Sequence, residues 1–183
     1  DRFSQRLQFG TAGLRGALGA GPNRMNRVIV AQAAAGLAAY LLEHGTRGES
    51  GAPSVVVGYD ARHNSDVFAR DTAEIMEGAG VHAFLLPTHL PTPVLAFAIR
   101  HLGCSAGVMV TASHNPPEDN GYKVYLDDSS QIVPPADADI SAAIDAVGRV
   151  DQMPRSDAYE VLGDDVARAY VDAVVALPGD GPR

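Results

Sequence analysis

Three apolar stretches fix the kind of fold this chain can adopt. The runs "PSVVVGYD" (53–60), "VHAFLLP" (81–87) and "CSAGVMVTAS" (104–113) are nearly continuous in β-branched and aliphatic residues, as expected of strands covered on both faces. Two segments of helical period separate them. In the first, Phe68, Thr72, Ile75, Met76 and Ala79 share one stripe, Asn64 or Ser65 stands where an N-cap belongs, and Gly80 closes the pattern. The second, "TPVLAFAIRHLG" (92–103), carries Pro93 in its first turn and Gly103 at its C′ position. Strand, helix, strand, helix, strand at this spacing means crossover connections, and crossovers make strands parallel. The expected fold class is therefore α/β: a three-layer α/β/α domain with a mostly parallel sheet.

The flanking segments extend that core. Asn26 is placed to cap a helix running to about Glu43, with Gly45 as its stop; "RVIVAQAAAGLAAYLLEH" is apolar on most faces and should be largely buried. After residue 113 the pattern changes. "GYKVYLDD" and "QIVP" read as short strands around a turn at Asp127–Ser130, an antiparallel extension of the sheet. A helix is expected over 136–147, polar irregular chain over 148–163, and a last helix over 164–177 with Val166, Ala169, Tyr170, Ala173 and Val174 along one side.

Composition narrows the function classes. With 46% hydrophobic residues among 183 the chain can close a globular core. A formal net charge of −8 argues against a nucleic-acid or anionic-membrane surface, and neither partner is expected. Backbone N–H groups and one or two arginines can still hold a phosphate. The one cysteine, Cys104, lies in an apolar stretch, so a buried inert thiol and a reduced, cytoplasmic setting are expected. The opening "DRFSQRLQFG" has no apolar core of a signal peptide, and the absence of an initial methionine leads us to expect a trimmed, processed or partly disordered start. The most apolar segment, 31–42, is too short to span a bilayer.

Ligands of parallel sheets bind outside the carboxyl ends of the strands. Two polar loops fall there: "GYDARHNS" (58–65) and "TASHNPPEDNG" (111–121). Ser113 and His114 are adjacent, and neighbours on an extended chain point to opposite faces, so they do not form a simple nucleophile–base pair. The G-x-S-x-G elbow of acyl-transfer serines is missing as well. Asn115, Pro116 and Pro117 stiffen the loop and fit a serine held out rigidly. An ordinary Asn-Pro turn with a capping serine accounts for the same residues. Near the N-terminus, "FGTAGLRGALGAGPNR" (9–24) is rich in glycine but has neither a Walker A lysine nor a GxGxxG. Its Thr11 and Arg15 could contact an anion, or the segment could be a plain glycine-rich loop.

Taken together, "FGTAGLRG", "GYDAR" and "TASHNPPEDNGYKVY" occur here in the order found in the α-D-phosphohexomutase superfamily. The chain resembles the N-terminal, catalytic-serine domain of a phosphoglucomutase/phosphomannomutase, strongly over 9–125 and more loosely to 177. The glycine motif is most similar to the branch holding bacterial phosphoglucomutases and phosphopentomutases. That resemblance implies an intramolecular phosphotransferase that interconverts sugar 1-phosphates and 6-phosphates of glucose or mannose through an enzyme phosphoserine and a bisphosphate intermediate. It implies Ser113 as the phosphoryl carrier and Lys123 as a proton-transfer group whose pKa Arg15 would lower by like-charge repulsion. His114 would hydrogen-bond the transferring group; Thr11, Arg15, His114, Asn115 and Lys123 would line the phosphate site; and Asp60 and Arg62 would brace the serine loop, a plain surface ion pair being the alternative for those two.

The same resemblance implies Mg²⁺ held partly by the Ser113 phosphate, a sugar bisphosphate as primer, and a phosphorylated sugar as substrate. Members have four domains, and the acidic metal loop, sugar-recognition loop and phosphate loop of the other three are absent here. Residues 1–150 are expected to be domain I and 151–183 a linker and helix leading into domain II. The chain alone is then expected to be folded but inactive. A phosphopentomutase, or a phosphate-binding module without turnover, stays open beside the hexomutase.

Overall fold

The computed structural model describes residues 2–48 and 51–177. In chain order its elements are β1 (Leu14–Ala17), α1 (Arg27–His44), β2 (Ser54–Tyr59), α2 (Ser65–Ala79), β3 (His82–Leu85), α3 (Thr92–Leu102), β4 (Ala106–Val110), β5 (Asp119–Leu126), α4 (Ala136–Asp145), β6 (Glu160–Val161) and α5 (Asp165–Ala176). Among the described residues six strands form one sheet in the order β1-β5-β4-β2-β3-β6. The expected core is present: β4, β2 and β3 are parallel neighbours, with Val55 opposite both Ala83 and Ala106. The side chains of Val55, Val56 and Val57 are all fully buried, which is why a continuous apolar run marks this strand.

Alternate residues of the strands feed two cores. On one face Val55, Val57, Val108, Val110, Tyr122 and Val124 pack with α1, α2 and α4. On the other, Val56, Met109 and Tyr125 pack with Leu95, Ala98 and Ile99 of α3 and Val166 of α5. Each fully buried Val, Leu or Ile side chain contributes roughly 1.5–3 kcal/mol, so Ile29, Val30, Leu37 and Leu41 tie α1 firmly into the core. Asn26 caps it as expected, its Oδ1 accepting from the N–H groups of Val28 and Ile29 at 3.1 Å.

Several expectations need correction. The glycine segment is not a free loop: Leu14–Ala17 is a strand, antiparallel to β5, with Leu14 opposite Tyr122 and Arg15 opposite Gly121. The "QIVP" strand reduces to one bridge, Gln131 to Tyr125, on the edge of β5 beyond the end of β1. Residues 148–163 are not wholly irregular. They hold a short 3-10 turn, Val150–Gln152, and β6, which adds to β3 in parallel. Arg155 from this stretch reaches the buried Asp71 of α2 at 2.7 Å. Helix α4 ends at Asp145 rather than 147. The stripe on α5 is only partly used: Val166 is buried and Ala169 and Tyr170 are half-buried, but Ala173 and Val174 are exposed, as are Val171 and Val175 outside the stripe. Residues 178–183, the end of the stretch expected to lead onward, lie outside the described residues.

Candidate active site

The sheet has a switch point where its strand order reverses. The chain passes from β2 to β3 on one side of β2, then returns through α3 to β4 on the other side. The carboxyl ends of β2 and β4 therefore diverge into separate loops over one crevice, the usual ligand position in such sheets. Both loops named by the sequence lie here. They are pinned together at their roots, where the Asp60 N–H donates to the Val110 carbonyl at 3.2 Å.

Ser113 stands at the tip of the β4 loop with its side chain exposed. Its backbone is left-handed, at φ 56°, which is uncommon for a residue with a Cβ. Three hydrogen bonds hold that conformation: Ser113 N to Thr111 Oγ1 at 2.9 Å, Asn115 N to Ala112 O at 3.0 Å, and Asp119 N to Pro116 O at 3.0 Å. The Arg62 guanidinium does more. One of its nitrogens donates to the carbonyls of Pro116 (2.7 Å) and Asp119 (3.1 Å), the other to those of Ser113 (3.0 Å) and Asn115 (2.7 Å). Asp60 sits 3.3 Å from Arg62 Nε and orients the fork. A planar guanidinium can serve four carbonyls in this way; an ammonium cannot. Asp60 and Arg62 thus grip the loop rather than forming an isolated surface pair.

Lys123 comes to the serine from β5. Tyr122 and Val124 on either side point into one core, so alternation turns Lys123 to the opposite face. Its Nζ donates to Ser113 Oγ at 2.5 Å. Partial burial, and then the charge of Arg15, hold its pKa below the usual lysine value. Burial outweighs the like charge that the sequence suggested as the cause. Arg15 pairs across β5 with Gly121, two residues from Lys123, and donates to Asn115 Oδ1 at 3.1 Å. Asn115 Nδ2 in turn donates to Asp119 at 2.8 Å.

The structure thus brings Arg15, Ser113, Asn115 and Lys123 into one connected group. His114 is exposed beside Ser113, and among the described residues no hydrogen bond restrains it. Thr11 is exposed on the tight turn before β1, where Gly10 and Gly13 exchange backbone hydrogen bonds. Gly13 has φ 72°, and a Cβ there would fall 1.9 Å from the Tyr122 carbonyl oxygen. Only glycine lets this turn lie against β5. Sequence reasoning missed Gln131, whose Nε2 donates to the Thr11 carbonyl at 2.7 Å and ties the turn to the chain after β5. Its only signal was a polar residue heading an apolar run. A cavity of about 890 Å³ lies elsewhere, over the N-terminus of α1 between Leu18 and Phe68, and contains none of these residues.

Residues 6–150 match the family model described as phosphoglucomutase/phosphomannomutase, alpha/beta/alpha domain I. The chain belongs to this family. It is 61% identical over 158 residues to a probable phosphomannomutase of Haemophilus influenzae, covering 84% of this chain and 32% of the relative. It is 48% identical over 149 residues to the phosphoribomutase of Saccharomyces cerevisiae (79% and 23%) and 35% identical over 189 residues to a phosphoglucomutase of Staphylococcus haemolyticus (99% and 33%). The crystal structure of a putative phosphomannomutase from Thermus thermophilus superposes with a TM-score of 0.80 at 33% identity, covering 95% of this chain and 36% of that one. The chain therefore spans about a third or less of the length of these relatives.

As a phosphoglucomutase/phosphomannomutase domain I, the chain presents its serine among cationic and amide groups. These suit the oxygens of a phosphoryl group. They do not suit a hard cation, which needs several fixed oxygen ligands. Among the described residues no group of three or more His, Cys, Asp or Glu is placed to hold a metal ion. The described residues alone do not make a Mg²⁺ site. Nor, among the described residues, is any helix long and apolar enough to cross a membrane.

Proposed function

We propose that this chain is the phosphoserine-bearing part of a phosphohexomutase that interconverts the 1-phosphate and 6-phosphate of glucose or mannose. The observation that carries the reading is the 2.5 Å contact between Lys123 Nζ and Ser113 Oγ, in a loop whose backbone Arg62 fixes at four carbonyls. Phosphoryl transfer depends mainly on positioning and on neutralising charge, and these residues provide both.

In the first step the phosphoryl group on Ser113 passes to a free hydroxyl of the sugar phosphate. The serine O–P bond breaks, a sugar O–P bond forms, and protonated Lys123 gives its proton to the departing Oγ. The sugar hydroxyl's proton is released. The bisphosphate turns over in the site. Ser113 Oγ then attacks the other phosphoryl group, Lys123 takes back the serine proton, and the freed sugar oxygen is reprotonated. The cycle balances. A lysine pKa below its ordinary value shortens the free-energy gap for both proton moves. Arg15, Asn115, His114 and the Thr11 turn face the transferring group and the phosphate it leaves. A sugar bisphosphate is the primer that loads Ser113. Mg²⁺ would take one oxygen from that phosphate and help neutralise its charge.

Residues 1–150 carry the serine loop, and the stretch after 150 docks on the same domain through β6, Arg155 and Val166 before leading, in this reading, towards the domains that complete the site. The exposed Val171, Val174 and Val175 of α5 are in keeping with this. A cytoplasmic setting fits the lone Cys104, whose thiol burial pushes up to about 11. A second reading, a phosphopentomutase, is favoured by the 48% identity to the yeast phosphoribomutase. Full-length protein primed with a bisphosphate and offered glucose, mannose and ribose 1-phosphates in turn separates the two. In either case Ser113→Ala should abolish turnover, by at least about 10⁴-fold, since a covalent carrier is lost outright. An alanine variant of near-normal rate would refute both.

A further inference from the structure

We propose that Ser65 and Asn120 are positioning residues for Ser113, acting through a buried hydrogen-bond relay that runs from the Lys123 strand to the serine loop. The proposal rests on the phosphoserine reading above and adds to it two residues that touch no substrate. Both side chains are fully buried, in a region where an unpaired polar group is costly. Asn120 Nδ2 donates to Ser65 Oγ at 3.0 Å and to the His63 carbonyl at 3.0 Å. Asn120 Oδ1 accepts the N–H of Gly121 at 2.7 Å. Ser65 Oγ donates to Asp60 Oδ1 at 2.8 Å, and the same oxygen accepts the Arg62 N–H at 3.0 Å. Asp60 then orients the Arg62 fork on the loop carbonyls.

The direction of each bond is fixed. An amide NH₂ can only donate, so Ser65 must accept from Asn120 and give its own proton to Asp60. Asp60 is thereby held as an acceptor from both sides and turned to Arg62. The relay spans three elements: Asn120 on β5, Ser65 at the head of α2, and Asp60 after β2. It therefore sets the position of the serine loop relative to Lys123, which lies three residues beyond Asn120 on the same strand. Helix α2 itself does not need this serine as a cap. Asn64 precedes it in a left-handed conformation with no side-chain hydrogen bond to the helix, and the Ser65 hydroxyl is turned to Asp60 instead.

The test uses the full-length protein with Ser65→Ala and with Ser65→Cys, which keeps the shape and a weak donor. Ser65→Ala should lower kcat by between about 10- and 100-fold while KM changes less than about twofold, because a misplaced nucleophile loses rate rather than substrate binding. Ser65→Cys should fall between wild type and alanine. Amide hydrogen exchange, read without any turnover, should quicken over 111–119 and stay unchanged over 54–59. Wild-type kcat in Ser65→Ala would overturn the proposal. So would exchange that is unchanged over 111–119, or that rises equally in 54–59, since that marks a general loss of stability. Failure of the phosphoserine reading would show separately, as full activity in Ser113→Ala.

Discussion

The two segments that carry the site are held in opposite ways. The serine loop is held by side chains: one guanidinium on four carbonyls, a carboxylate behind it, and a threonine hydroxyl on the Ser113 N–H. The Thr11 turn and β1 are held by backbone contact, because Gly13 has no Cβ to strike Tyr122 and Arg15 is opposite Gly121. A Cβ on Gly121 would itself lie 2.6 Å from the Thr111 carbonyl oxygen. A loop held by side chains can loosen by degrees when a partner is removed. A segment held mainly by close approach has little to remove beyond the Gln131 tie to Thr11, and breaks chiefly when something is added.

That difference can be broken experimentally. The largest effect should come from Gly13→Ala. A methyl group 1.9 Å from a backbone oxygen must push β1 off β5, at a cost on the order of 3 kcal/mol or more. Denaturant titration should show the loss of stability, and turnover should go with it. Stability unchanged would mean that β1 is not seated on β5 as described.

Lys123→Met comes next, with turnover down by about 10²–10⁴-fold, the usual weight of a proton-transfer group. The same variant tests the pKa. Lys123 is depressed in the fold, so the folded chain holds its proton less well than the unfolded chain. Stability should then rise as pH climbs through the folded pKa towards the ordinary lysine range, and the methionine variant should lack that rise. A profile identical to wild type would count against the lowered pKa. Smaller again is Arg62→Lys: the charge stays, the fork goes, and turnover should drop by between about 10- and 100-fold. A fully active lysine variant would show that charge alone holds the serine loop.

The parallel core was legible because burial on both faces leaves an unbroken apolar run, as in Val55–Val57 and Ala106–Val110, and because α2 between them writes a one-sided helical stripe. Asn26 was legible as a cap because its signal is local. β1 was not, since Leu14–Ala17 is a strand only through its pairing with β5, a hundred residues away, and its glycines look like those of a loop. β6 is two exposed residues on an edge and carries no burial pattern. In the site, the motif order marked Ser113, Lys123, Arg15, Asp60 and Arg62. Ser65 and Asn120 were hidden for a physical reason. A polar residue at a helix start reads as a cap, and one before a glycine reads as a turn, while their actual partners lie up to 57 residues away in sequence.

The central claim is that Ser113, and no other residue, carries the phosphoryl group. The direct measurement is peptide mapping by mass spectrometry of the full-length protein after brief incubation with glucose 1,6-bisphosphate. One phosphoryl group per chain is expected, on Ser113 in the peptide spanning 111–123, and none in Ser113→Ala. A phosphoryl group on a different residue, or mutase turnover by a protein that never phosphorylates Ser113, would contradict it.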